Sequence, residues 1–174
     1  MRSRSRKLCQ MVVPASLFAL VALIGIRIGI NNANSLLAGY ALMDVNNLRH
    51  IYLVSFDYAL QNGGRFPDDW SVLSSDSSIT PEVFRTYRNR GNTFSLTNVH
   101  SWTDYVYARG LTTNSPDGTV FAYSPPSNQR GKYGAVVYVG GSGETFRRDE
   151  WMKFEMHNKS LDRIPGTASG TDQR

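Results

Sequence analysis

Residues 11–30 read MVVPASLFALVALIGIRIGI, and the reading of this stretch decides the architecture. Nineteen of the twenty residues carry no formal charge, Arg27 being the exception. A helix of about twenty residues, at 1.5 Å rise each, spans a hydrocarbon core of roughly 30 Å. Arg27 lies near the far end, where a long side chain snorkels to the headgroups. Pro14 falls in the first turn, where a missing N–H costs little. Arg2, Arg4, Arg6 and Lys7 precede the run, and mixed charges follow it. That asymmetry predicts a basic cytoplasmic tail over 1–10, a transmembrane helix over 11–30 and the rest of the chain outside the cytoplasmic membrane. The rival reading is a cleaved signal peptide. Its cleavage sites are poor, because Ala33 follows Asn31-Asn32 and Ala22 has Leu20 at its minus-three position.

The charge balance points the same way. The chain has 19 Lys and Arg against 14 Asp and Glu, a formal net charge of +5. Four of the basic residues sit in the first seven positions, which leaves 15 against 14. A nucleic-acid binder carries its excess on the folded part. Here the excess lies on a short tail beside an apolar run, so nucleic acid is not the expected partner and a lipid surface is. Cys9 is the only cysteine, which excludes an intramolecular disulfide framework.

Beyond the apolar run, no proline occurs between Asn34 and Gln61 and Gly39 is the only glycine. Val45, Leu48, Ile51, Tyr52, Ser55, Tyr58 and Ala59 recur at three- and four-residue steps, with Asn46, Asn47, Arg49 and Asp57 largely between them. This predicts an amphipathic helix continuing the membrane span. Asn62-Gly63-Gly64 is its stop, since glycine supplies a left-handed cap. Asp68 or Asp69 is placed to cap a short helix through Leu73, and Thr80 to Phe84 reads as another with proline at its first position. Residues 88–101 lack periodicity and read as loop. Thr103 to Ala108, Thr119 to Tyr123, Tyr133 to Val139 and Glu144 to Arg147 read as strands. Asp149 to Met156 fits a terminal helix, with Trp151 and Phe154 three apart. Residues 158–174 are polar, rich in Gly, Ser and Thr, and are expected to be a disordered tail.

Two stretches carry a resemblance. Asn46-Asn47-Leu48-Arg49-His50-Ile51, with Gly64-Arg65-Phe66-Pro67 after it, resembles the helix end and turn of pseudopilin-like proteins of type II secretion and type IV pilus systems. The set in question carries an H-x9-D-G motif. Asp104-Tyr105-Val106-Tyr107, then Thr119 to Pro126, Gly134 to Val139 and Glu150-Trp151, follow in that family's order. The resemblance covers about Asn46 to Phe154. It departs where Arg130 takes the histidine position and Gly140-Gly141 the Asp-Gly position. It departs again at Leu8-Cys9-Gln10-Met11, which lacks the family's processing glycine and the glutamate inside the apolar run. The resemblance implies an α+β, pilin-like fold over 31–157, with a long helix packed on a small antiparallel sheet of three to four strands. It also implies a structural subunit of a secretion or pilus-type machine, with other pilin-like subunits or secretion-platform proteins as partners.

No constellation for catalysis emerges. His50, His100 and His157 have no metal-ligand spacing with each other or with Cys9. Gly140 to Glu144 fails a nucleophile elbow, which needs glycine where Glu144 stands. The glycines there fit a hairpin turn. Asp68, Asp69 and Asp76 form a loose acidic group without EF-hand spacing. Arg85 to Arg90 is basic with one aromatic, and is read as a solvated face rather than a stacking surface for nucleic acid. Tyr105, Tyr107, Tyr123, Tyr133 and Tyr138 are read as strand residues before a sugar-binding surface. The expectation is therefore a non-enzymatic protein with no catalytic, cofactor or metal residues. The alternative is an anchored or exported binding module for an envelope polymer or protein.

Overall fold

The computed structural model describes residues 3–89, 96 and 99–157; in the helices, nothing is said of the side chains of residues 3–21, 100, 152 and 154–157. The expected tail over 158–174, most of the loop over 90–98 and the side chains of the first half of the apolar run lie outside that description. Helix α1 runs Ser3–Gln61. The chain divides into two compact units, Met1–Leu36 and Leu37–Arg174. In the first, residues 22–33 are all exposed, among them Leu23, Ile24, Ile26, Ile28 and Ile30. Among the described residues, no helix is long and apolar enough to cross a membrane.

The second unit is α+β. Strands β1 (Val106–Tyr107), β2 (Val120–Ser124), β3 (Tyr133–Tyr138) and β4 (Gly143–Arg147) form one antiparallel sheet in the order β1-β2-β3-β4. Residues 37–61 of α1 cover one face. Helix α2 (Arg148–His157) covers part of the other. The period of two along β3 sorts its side chains between them. Ala135, Val137 and Val139 join the core cluster that contains Val45, Leu48, Ile51 and Tyr52. Tyr123 and Gly134 instead meet Trp151 of α2, the two rings 5.1 Å apart.

The expected helical stripe holds at six of its seven positions. Val45, Leu48, Ile51, Tyr52, Ser55 and Ala59 are buried, and Tyr58 is half-buried. Burying a whole Leu or Ile side chain stabilises a fold by about 1.5–3 kcal/mol, so this stripe is a principal tie between helix and sheet. Tyr52 adds a polar tie, its hydroxyl donating to the Val139 carbonyl at 2.6 Å. The helix stops where the sequence predicts. Gly63 and Gly64, with φ of 65° and 79°, are both left-handed, and the Gly64 N–H donates back to the Ala59 carbonyl at 2.8 Å. That is a six-to-one closure of the last turn, which any residue with a Cβ would strain.

Beyond the cap the chain builds an aromatic layer. Asp69 caps a 3-10 turn over Trp70–Ser75 by accepting from the Ser71 N–H at 2.8 Å. Trp70 stacks on Tyr107 with ring centroids 4.1 Å apart, and Phe84, at the end of the Pro81–Phe84 turn, lies 5.6 Å from Trp70. The register between β2 and β3 slips by one residue around Phe121: Val120 pairs with Tyr138, but Ala122 pairs with Val137. The bulge lets Val120, Phe121 and Ala122 all be buried in succession.

Strand β1 is shorter than the predicted Thr103 to Ala108. The reason is local competition. The Thr103 hydroxyl donates to the Phe84 carbonyl at 2.8 Å, and the Asp104 carboxylate accepts from Arg85, Thr86 and Asn89. These residues serve the preceding loop, leaving Val106 and Tyr107 for the ladder.

Candidate docking face and the polar node behind it

Residues 37–61 of α1 present two faces. The outer one exposes Leu42, Met43, Leu53 and Leu60, at 57%, 41%, 60% and 64% of their full surface. Asn46, Arg49 and Asp57 lie among them. Positions 42, 46, 49, 53, 57 and 60 follow steps of four and three, which places them on one side of the helix. Leu42, Leu53 and Leu60 thus form an apolar line with polar residues at its middle. A fully solvated surface helix has no need of three exposed leucines on one line, so this is the candidate docking face.

The inner face holds a carboxylate that the apolar pattern did not announce. Asp44 is fully buried. Its Oδ2 accepts from Gln129 Nε2 at 2.8 Å and from the Ser124 hydroxyl at 3.0 Å. Its Oδ1 accepts from the Tyr87 N–H at 3.2 Å and lies 3.4 Å from the Tyr105 hydroxyl. The Tyr105 proton has a closer acceptor in the Arg85 carbonyl at 2.9 Å. Asn47, also buried, donates to that carbonyl and to the Tyr105 oxygen, both at 3.1 Å. Burial pushes the Asp44 carboxyl up from its ordinary value, and the hydrogen bonds from Gln129, Tyr87, Ser124 and Tyr105 offset part of the rise. Burial, and then the negative charge of Asp44, raise the Tyr105 hydroxyl well above the usual tyrosine range.

The node has a mechanical meaning. Asp44 grips the loop at Tyr87 from one side. Asp104 grips it from the other, accepting from the Thr86 N–H at 2.9 Å and from Arg85 Nε at 3.0 Å. Through Ser124 and Gln129, Asp44 also ties α1 to the end of β2 and the turn after it. One helical residue therefore fixes three separate chain segments against the helix.

The other sequence candidates disperse. Tyr105 and Tyr107 are buried, while Tyr123, Tyr133 and Tyr138 are half-buried on strands, so the five do not line one surface. Arg85 is committed to Asp104, and Tyr87 packs its ring 5.3 Å from Tyr40. Asp69 caps its turn, Asp68 Oδ1 accepts from the Gly110 N–H at 2.8 Å, and Asp76 accepts from Ser78. Among the described residues, no three His, Cys, Asp or Glu side chains are grouped to hold a metal ion. Gly140 and Gly141 sit in the hairpin between β3 and β4, as the turn reading predicts, with the Gly141 N–H donating to the Tyr138 carbonyl.

The fold is thus that of a small α+β unit carried on a long helix. No family model matches the sequence, and no match was found among curated proteins or solved structures.

Proposed function

We propose that the protein is a membrane-anchored, pseudopilin-like structural subunit of a secretion or pilus-type assembly. Residues 11–30 hold it in the cytoplasmic membrane as a single pass, with the N-terminus in the cytoplasm and residues 37–157 outside. It performs no turnover. It acts by packing the outer face of α1 against neighbouring subunits and presenting the small domain. The observation that carries this reading is the exposed line of Leu42, Leu53 and Leu60 on a helix whose opposite face is buried against the sheet and its loops. Such a helix has one side committed to folding and the other available for assembly. The apolar run upstream and the ordered resemblance over Asn46 to Phe154 support the same conclusion.

The test is proximity in native membranes. Leu53→Cys in a Cys9→Ser background is expected to give disulfide-linked or bismaleimide-linked oligomers with copies of itself or with pilin-like partners. Edman sequencing of the purified protein is expected to read from the intact start. A mature chain that begins near residue 34 and stays in the supernatant after ultracentrifugation without detergent would replace this reading with an exported binding module.

A further inference from the structure

Strand β4 is outermost in the order β1-β2-β3-β4, so one of its edges faces no strand of the sheet. The Arg148 N–H donates to the Lys132 carbonyl and the Tyr138 N–H to the Ser142 carbonyl, which fixes the alternation of the ladder between β3 and β4. Glu144 and Phe146 therefore turn their backbone groups to β3, while Gly143, Thr145 and Arg147 turn theirs outward. Such a row of outward groups is a template for another strand.

Two side chains occupy it. Arg49 Nη2 donates to the Gly143 carbonyl at 3.3 Å, and Glu150 Oε2 accepts from the Arg147 N–H at 2.8 Å. The local sequence places both. A Cβ at Gly143 would come within 2.9 Å of Val45 Cγ1, so α1 passes directly over the strand there, and Arg49 follows Val45 by one turn. Glu150 lies in the first turn of α2 with the spacing of a capping box, so the helix start takes up the Arg147 donor. Between the two, Thr145 is exposed, and its N–H and C=O have no partner among the described residues.

The occupied groups belong together. If two copies paired antiparallel through β4 with Thr145 opposite Thr145, the register of longest overlap, Gly143 of each copy would face Arg147 of the other. The Arg147 N–H would then donate to the Gly143 carbonyl. Those are the donor and the acceptor that Glu150 and Arg49 already hold. Side-chain charge acts in the same direction. Residues 143, 145 and 147 alternate onto one face of the sheet, and their neighbours Val137 and Ala135 show it to be the face that α1 covers. Arg147 of one copy would therefore come up beside Arg49 of the other, and like charges set opposite each other disfavour pairing. We propose that Arg49 and Glu150 hold the β4 edge shut against pairing with β4 of a second copy.

The test uses the full chain in detergent micelles, carrying Cys9→Ser and Thr145→Cys. Residues opposite each other in a bonded antiparallel pair lie about 5.5 Å apart, within reach of a disulfide. With Arg49 and Glu150 in place, oxidised dimer is expected to stay at the level of chance collision. Arg49→Ala with Glu150→Ala is expected to raise it roughly tenfold, since the pairing regains hydrogen bonds at both ends. Arg49→Ala alone is expected to give a smaller rise with an unchanged melting temperature. Without the added cysteine, the double variant is expected to associate in sedimentation more than its Cys9→Ser parent. Thr145→Pro, which deletes the outward N–H, is expected to return it to the parent's behaviour. Equal linking with and without the two side chains overturns the proposal, whether the level is low, as on an edge that never pairs, or high, as on one already open. Added association that survives Thr145→Pro lies on another surface, the outer face of α1 included, and overturns it as well.

Discussion

The two faces of α1 over residues 37–61 share a helix, a length and a content of leucine, yet they answer to different rules. On the inner face Leu48 and Ile51 are fully buried, and the polar side chains there are largely partnered. On the outer face Leu42, Leu53 and Leu60 keep more than half of their surface, and nothing in the described chain covers them. The difference teaches that apolar composition alone does not divide core from surface here. What divides them is whether a facing strand supplies shape and hydrogen-bond partners.

The largest way to break that contrast is a cavity on the inner face. Ile51→Ala is expected to lower stability by about 3–4 kcal/mol in chemical denaturation, because the site is enclosed by the helix and sheet core and cannot collapse. A loss below about 1 kcal/mol would mean that the face is not packed as described.

Next comes the polar node. Asp44→Ala strands the Tyr87 N–H, the Ser124 hydroxyl and the Gln129 amide, and is expected to cost about 2–3 kcal/mol. Exchange of the Tyr87 amide should accelerate by more than that of the aromatic layer, since the loop loses one of its two grips.

The same carboxylate sets a pH dependence of defined sign. Its folded-state pKa is raised above the ordinary value of 3.8, so between the two values the folded chain binds more protons than the unfolded one. Stability from this group is therefore greatest at low pH and falls as pH rises through its folded value. Asp44→Asn is expected to flatten that part of the curve. Gln129 Oε1, buried without a partner, can accept from the new amide once its own amide turns over. An unchanged slope in urea titrations between pH 4 and 7 would place the titrating group elsewhere.

The smallest effect on stability belongs to the outer face. Leu60→Ser is expected to change stability by no more than about 0.5 kcal/mol while, placed in the Leu53→Cys, Cys9→Ser background, sharply reducing cross-linked oligomers in membranes. A large loss of stability instead would show that the outer line is part of the fold.

Much of this was legible in the sequence. The steps from Val45 to Ala59, the stop at Asn62 to Gly64, the cap at Asp69 and the order of four strands all follow from local rules of period and turn. Asp44 and Asn47 were not legible, for a physical reason. A three-four step pattern assigns polar residues to water, and only partners 43, 80 and 85 residues away along the chain reverse that for Asp44. Asn47 is claimed likewise by Tyr105, 58 residues on. Strand β1 shrank because Thr103 and Asp104 serve the loop at Phe84 to Asn89, again a claim from outside their own segment. The five tyrosines separated for a simpler cause: Tyr105, just before β1, and Tyr107 on it are both buried in the core, whereas Tyr123 faces α2.

The slipped register at Phe121 bears on how this chain tolerates changes of length. Residues before and after that point obey opposite in-and-out parity. Deleting Phe121 while Ser124 stays on Asp44 would leave Val120 opposite Tyr138 and Ala122 opposite Val137, a regular ladder that loses a core ring, whereas an added residue there would enlarge the bulge. Single-codon insertions should therefore survive in the turn at Asn114 to Gly118 and be purged a few codons later, where a deletion of Phe121 costs packing rather than register.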